Sequence, residues 1–263
     1  MNAIPDNATG AHSNDAMPRA RVFNAYLQET RSEILRYLRN PGFLLPTLLF
    51  PTVFYLMFGV LLGHGGEQAR YMLAAYSTFG VMAPGLFGFG VSLALERDGG
   101  LLTLKRALPM PPAAYLIGKM AMAMLVAAVI ASLLLAIALF VAHVPLSAAQ
   151  ALRLFALEIA GVVPFCALGL LLGTLIKGQG APGLVNMIYL PMAFLSGLWF
   201  PLSIMPSFLR QIADLWPSYH LNQLALSAVG MPHEGSGTVH AAVLCAFTAA
   251  CLWLAARRLR RNG

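Results

Sequence analysis

The chain has 263 residues, 59% of them hydrophobic and only 10% charged, with a formal net charge of +7. Charged residues make up roughly a quarter of a soluble domain, so this composition excludes an ordinary water-solvated globule and places most of the chain in lipid. The positive balance does not point to nucleic acid, because the basic residues are spread over several separated stretches rather than along one face.

Residues 1–18 are polar, rich in Asn, Ala and Asp, and lack the basic start and apolar centre of a secretory signal. They predict a disordered tail. From Val22 to Asn40 the pattern changes: Phe23, Leu27, Ile34 and Leu38 recur at helical spacing, while Glu29, Arg31, Glu33, Arg36 and Arg39 fill much of the remaining circumference. This predicts an amphipathic helix over 22–40, lying in the membrane interface. Asn40-Pro41-Gly42 then breaks it, since proline holds its predecessor extended and glycine permits a sharp turn.

A helix needs about 20 apolar residues to cross the hydrocarbon core. Residues 43–62 supply the first such run, and 71–95, 120–142, 154–176, 181–200 and 239–256 supply five more, so six spans are expected. Basic residues collect on the cytoplasmic side of short loops. Arg19, Arg21, Arg31, Arg36 and Arg39 precede the first span; Arg97, Lys105, Arg106 and Lys119 follow the second. Lys177 follows the fourth, and Arg257, Arg258, Arg260 and Arg261 follow the sixth, whereas the alternate loops hold only Arg70, Arg153 and Arg210. Both termini are therefore expected inside. The terminal arginines also suit anionic lipid headgroups.

The segment 96–119 interrupts the apolar runs. Glu96, Arg97 and Asp98 are followed by Gly99 and Gly100, then by a short stretch of helical composition that Pro109, Pro111 and Pro112 end. It predicts a compact, charge-decorated cytoplasmic knob. Between the fifth and sixth runs, Pro201, Pro206 and Pro217 break an apolar stretch too short to span. Broken backbone is tolerated at membrane depth only where protein or water satisfies its polar groups. Trp199, Trp216 and Tyr219 suit the headgroup layer.

Single residues carry less. Glu158 is the only charge inside a run, and an intramembrane ionisable group faces a cavity or a partner; a pathway contact and a pairing with nearby Arg153 both remain open. Gly169-x-x-x-Gly173 allows close helix approach, with packing inside the subunit favoured over a dimer seam. Met120, Met122 and Met124 read as soft apolar filler. Cys166, Cys245 and Cys251 fall in apolar runs and suggest neither disulfide nor metal, and the histidines are too scattered for a ligand cluster. No G-x-x-x-x-G-K-[ST] phosphate loop exists: the pair Gly118-Lys119 is followed by Met120. Nucleotide energy must come from another protein, and the chain itself is not expected to be an enzyme.

Two segments carry a family resemblance. Glu96, Arg97, Gly100, Leu102, Pro109, Gly118 and Lys119 fall on the loop pattern of the membrane subunits of type-2 ABC exporters, with Leu101, Thr103 and Lys105 departing from it. Ser196, Gly197, Leu198, Trp199, Phe200, Pro201, Met205, Pro206, Ile212, Pro217 and Tyr219 resemble the family's outer segment. The resemblance implies an all-α membrane protein: an interfacial helix, six transmembrane helices and a re-entrant helical segment, here 201–230, between spans five and six. It implies a permease subunit in the bacterial plasma (inner) membrane, working as a homodimer in its family's manner with two copies of a separate ABC ATPase, which binds ATP and Mg while this chain binds no cofactor. The loop would dock the ATPase through Glu96, Arg97, Gly100, Leu102 and Pro109. Cargo would be hydrophobic or amphiphilic: a drug-like molecule, a lipid or a lipid-linked glycan. The alternative is an ion- or proton-coupled carrier using Glu158, which would be expected to show two repeated halves with paired broken spans; none is visible.

Overall fold

The computed structural model describes residues 19–63, 66–107 and 111–262. The expected tail and Pro109 lie outside the described residues. Helix α1 (Arg19–Leu38) is followed by α2 (Pro41–Leu61), α3 (Gly66–Asp98), the short α4 (Leu101–Ala107), α5 (Pro112–Phe140) and α6 (Ala148–Leu175). Then come α7 (Ala181–Leu195), two short helices, α8 (Ser207–Ala213) and α9 (Pro217–Ala228), and the last long helix α10 (Gly237–Asn262). No strand occurs among the described residues.

Among the described residues, five helices are long and apolar enough to cross a membrane: α2, α3, α5, α6 and α10, the last over Gly237–Arg260. The expected fifth span over 181–200 is interrupted. Helix α7 has 15 residues, about 22 Å at 1.5 Å per residue, short of the roughly 30 Å hydrocarbon core. It stops at Ser196 because Gly197 takes φ +76°, a left-handed conformation that ends helices, and Pro201 follows. The helices also begin ahead of the apolar runs, α5 eight residues before 120 and α6 six before 154, and the charged loop is shorter than expected: Glu96–Asp98 close α3, and Gly118 and Lys119 belong to α5.

Helix α3 lies at the centre, buried nearly all round, whereas α2 and α10 leave most of their surface open. It packs on α5, α6, α9 and α2. Lipid supplies no hydrophobic drive between helices, so close packing must come from small residues. Gly169 and Gly173 serve here: a Cβ on Gly169 would stand 2.5 Å from the Gly85 carbonyl oxygen, and one on Gly173 2.9 Å from Leu93 Cβ. The glycine pair is thus a seam inside the subunit. Beside it α3 widens into a π-helical stretch, Leu86–Val91, and α2 ends in another, Tyr55–Leu61.

Helix α1 packs along α5. Ile34 turns toward the core, while Phe23, Leu27 and Leu38 stay more than half exposed, the arrangement expected of an apolar stripe awaiting lipid. Tyr37 ties α1 to α2 by donating to Thr47 Oγ1 at 3.1 Å. Arg258, near the end of α10, reaches the Thr174 carbonyl at the end of α6, so the ends of α3, α6 and α10 and the start of α5 share one end of the bundle.

Candidate coupling site

That end holds a buried ion-pair network. Lys119, about two turns into α5, is fully buried, and its ammonium donates to Glu96 Oε1 at 2.8 Å, Glu33 Oε2 at 3.0 Å and Ser92 Oγ at 2.6 Å. All three donor hydrogens are spent. Glu96 also accepts from Tyr115 at 2.6 Å and pairs with Arg36 at 2.7 Å. Arg36 pairs with Glu33 one turn away on α1. Two carboxylates thus face two cations, which satisfies the condition for burying charge: the partners must be close and hydrogen-bonded. Burial works to raise the Glu33 pKa, but Lys119 and Arg36 outweigh it and hold this carboxyl below its ordinary value.

The helices are spaced to make this possible. Glu29 and Glu33 on α1, Ser92 and Glu96 on α3, and Tyr115 and Lys119 on α5 are each four apart, so each pair shares a face. Gly118 lets α1 approach α5: a Cβ there would stand 3.2 Å from both Glu29 Cγ and the Thr30 nitrogen. Helix α4 joins through Lys105, which pairs with Glu29 and lies 3.3 Å from Glu33 Oε1, over the Tyr115 ring at 4.4 Å.

The two residues after Glu96 fasten other elements. Arg97 donates to the carbonyls of Gly173, Thr174 and Ile176 at 3.1, 2.9 and 2.7 Å, satisfying the open acceptors at the end of α6, where a cation also suits the helix dipole. Asp98 accepts from the Gly178 amide at 2.5 Å. Gly100 takes φ +75° with nothing near it, allowing α4 to start in a new direction. Leu102 turns inward against the core, and Thr103 and Leu104 are exposed, Leu104 by 67%.

The family model of the ABC-2 type transporter matches residues 25–229. The chain belongs to the ABC-2 type transporter family. It is also 27% identical over 210 residues, 78% of this chain and 86% of the relative, to the protein of Bacillus subtilis (strain 168) named "Putative transport permease YvfS". An ABC-2 permease subunit is a multi-pass integral membrane protein, and membership implies association with an ABC ATPase.

In this ABC-2 subunit the expected loop residues are therefore mostly turned inward. Glu96 is 7% exposed, with both carboxylate oxygens engaged, and Arg97 is spent on backbone carbonyls. Sequence reasoning missed Glu33, Arg36, Ser92 and Tyr115 as parts of the site, and took Lys119 only as half of a Gly-Lys match. The spacing of four on three separate helices was the available signal.

Elsewhere, an aromatic groove of about 590 Å³ runs between α2, α3 and α7, lined among others by Phe50, Phe54, Phe79, Phe87, Tyr189 and Trp199. Phe79 stacks on Tyr189 with centroids 5.1 Å apart. Glu158 does not line this groove. It is fully buried on α6, accepts from Thr78 Oγ1 at 3.2 Å, and leaves its second oxygen without a partner. Arg153 is exposed and forms no ion pair with Glu158, so of the two readings left open for Glu158 the pairing is not the one the structure shows. In the segment after α7, Ser196 and Ser218 hydroxyls meet at 2.5 Å, and Tyr71 donates to the Gly197 carbonyl at 3.2 Å. Pro206 precedes α8, Pro217 opens α9, and Tyr219 donates to Glu234 at 2.9 Å. Pro201 is half-buried beside Trp199 and Phe200 at the edge of a second hollow.

Proposed function

We propose that this chain is the membrane half of an ATP-driven exporter, two copies forming the pathway above or below two copies of a separate ATPase. The observation that carries this reading is the Lys119 network. It joins α1, α3, α4 and α5, so a push on the exposed side of α4 moves two long helices and the interfacial helix together. Glu96 and Arg97 act as the internal transmission: Glu96 into α1 and α5, Arg97 into α6. Thr103 and Leu104 are the surface offered to the ATPase, with Gly100 and Leu102 setting the direction and seat of α4. Closure of the ATPase dimer on ATP supplies the differential binding energy that any shift between states requires.

Six crossings follow if α7 and the turn after it complete a fifth, with α8 and α9 entering and leaving from the outer side. Both termini and α4 then lie in the cytoplasm of a bacterial cell. The aromatic groove between α2, α3 and α7 is of the size and character that takes an apolar ligand, which supports hydrophobic or amphiphilic cargo. No observation favours a proton-coupled carrier running on Glu158.

Co-purification with a co-expressed ABC ATPase tests the reading. Leu104→Glu is expected to abolish association while leaving the melting temperature of the isolated subunit unchanged. Wild type that never captures an ATPase, or a Leu104→Glu variant that captures it as well as wild type, would overturn the assignment of α4.

A further inference from the structure

The end of the bundle opposite Lys119 holds two histidines that meet edge to edge. His220 lies on the first turn of α9 and His240 on the first turn of α10; they are 7% and 4% exposed. Their Nδ1 atoms are 2.8 Å apart. Both remaining ring nitrogens are committed to backbone carbonyls: His220 Nε2 lies 2.9 Å from the Asp214 oxygen, and His240 Nε2 lies 2.6 Å from the Glu234 oxygen.

A proton count follows from these contacts. A carbonyl only accepts, so each Nε2 must carry a hydrogen. Two neutral rings own one N–H each, and both are then spent. The Nδ1 atoms would confront each other with lone pairs alone, at a separation that only a hydrogen bond permits. One additional proton resolves this, because one ring becomes imidazolium and its Nδ1–H donates to the bare Nδ1 of the other. A second additional proton would place hydrogens on both Nδ1 atoms and drive the rings apart. We propose that His220 and His240 form a proton-binding site that holds a single proton between the two rings, and that this proton fastens α9 to the head of α10.

The surroundings suit one positive charge. Tyr219 stands against both rings, with centroids at 5.3 and 5.9 Å, and donates to the Glu234 carboxylate. Asp214 and Glu234 are the acidic groups of the flanking turns. Helices α3 and α6 also pack on α9 but direct their titratable groups elsewhere: Arg70 to the Pro145 carbonyl, Tyr71 to Gly197 and Glu158 to Thr78, with Glu67 and Arg153 exposed and the buried Tyr76 hydroxyl unpaired. Burial lowers the His220 pKa, the bond to the Asp214 carbonyl opposes this, and a charge on His240 lowers it again. Burial resists the first proton as well as the second, and the Nδ1–H···Nδ1 bond that the first proton makes is what offsets this cost. The first binds more tightly to the closed pair than to separated rings, so by linkage acid closes the contact and rising pH releases it.

Under the topology proposed above, the proton comes from the export side; the site itself does not depend on that reading. Full-length protein carrying ring-labelled [15N]histidine in nanodiscs, followed by NMR between about pH 5 and 8, reads the count directly. One proton taken up jointly, with a hydrogen-bond coupling between two Nδ1 sites, is the expected result. Two rings titrating independently, or two rings keeping bare Nδ1 atoms throughout, would overturn the site. In His240→Gln the amide donates to His220 Nδ1 without titrating, so amide exchange over residues 234–239, corrected for its intrinsic pH dependence, is expected to lose the slowing that wild type shows in acid. Identical profiles in wild type and variant would remove the fastening role. Sealed vesicles with acid on one side separate the two claims: a site answering only to the inner pH leaves the proton count intact and sinks the topology.

Discussion

Among the described residues, the Lys119 network, which buries Glu33 and Glu96, and the site of Glu158 are built differently. Glu96 sits among Lys119, Arg36, Tyr115 and Ser92, and each of its oxygens has a partner. Glu158 has one weak donor, Thr78, and an oxygen with none. A charge removed from water is retained at tolerable cost only when counter-charges and donors replace the water. The first arrangement is that of a rigid joint, whose removal leaves charges stranded; the second is that of a residue the neighbouring helices tolerate rather than depend on.

The largest effect is therefore expected at Lys119. Lys119→Met removes the one fully buried cation from between Glu33 and Glu96 and leaves them only the half-exposed Arg36 and, for Glu33, Lys105, a loss of about 3–5 kcal/mol by analogy with broken buried pairs, read as a steep fall in melting temperature or in recoverable protein. Glu96→Gln keeps the shape and several hydrogen bonds and should lose less; a Lys119→Met variant that melts like wild type would erase the contrast with Glu158. Next comes the glycine seam. Gly169→Val forces a branched side chain against the Gly85 carbonyl and should cost about 1–3 kcal/mol, whereas Gly183→Ala on α7, where a Cβ meets nothing within 4 Å, should leave the melt unchanged or raise it slightly, by up to about 1 kcal/mol. Glu158→Gln, which preserves the Thr78 contact, is expected to change melting and transport little; abolished transport would move Glu158 from tolerated to essential.

The smallest effect is on the acid side. The Glu33 pKa is depressed in the folded protein, so its contribution to stability is complete above the ordinary carboxylate value and is lost as pH falls through the lowered one. Melting profiles into acid should show a drop for wild type that Glu33→Gln lacks, since the variant has already forfeited that contribution.

Much of this architecture was legible in the chain because lipid imposes length and apolarity on any span. The long helices follow the apolar runs, and Asn40-Pro41-Gly42 and Gly99-Gly100 mark real breaks. The fifth run misled for a physical reason: residues 196–200 are as apolar as a span requires, but Gly197 redirects the backbone, and hydropathy does not register φ. The coupling site was half visible. The Glu96–Lys119 pattern located it, yet the pairing of residues 33, 96 and 119 is a property of three helices meeting, which periodicity along one helix does not encode. The two histidines on the first turns of α9 and α10 were dismissed as scattered because their proximity depends on the hairpin between those helices.

Because Lys119 is sealed from solvent, mobile ions cannot reach it. Screening acts over about 3 Å at 1 M salt, but only through water. Concentrated salt should therefore leave the joint between α1, α3 and α5 intact while weakening exposed charged contacts, such as those of the terminal arginines with anionic headgroups, so a stringent wash strips the periphery and spares the hinge that gives the subunit its shape.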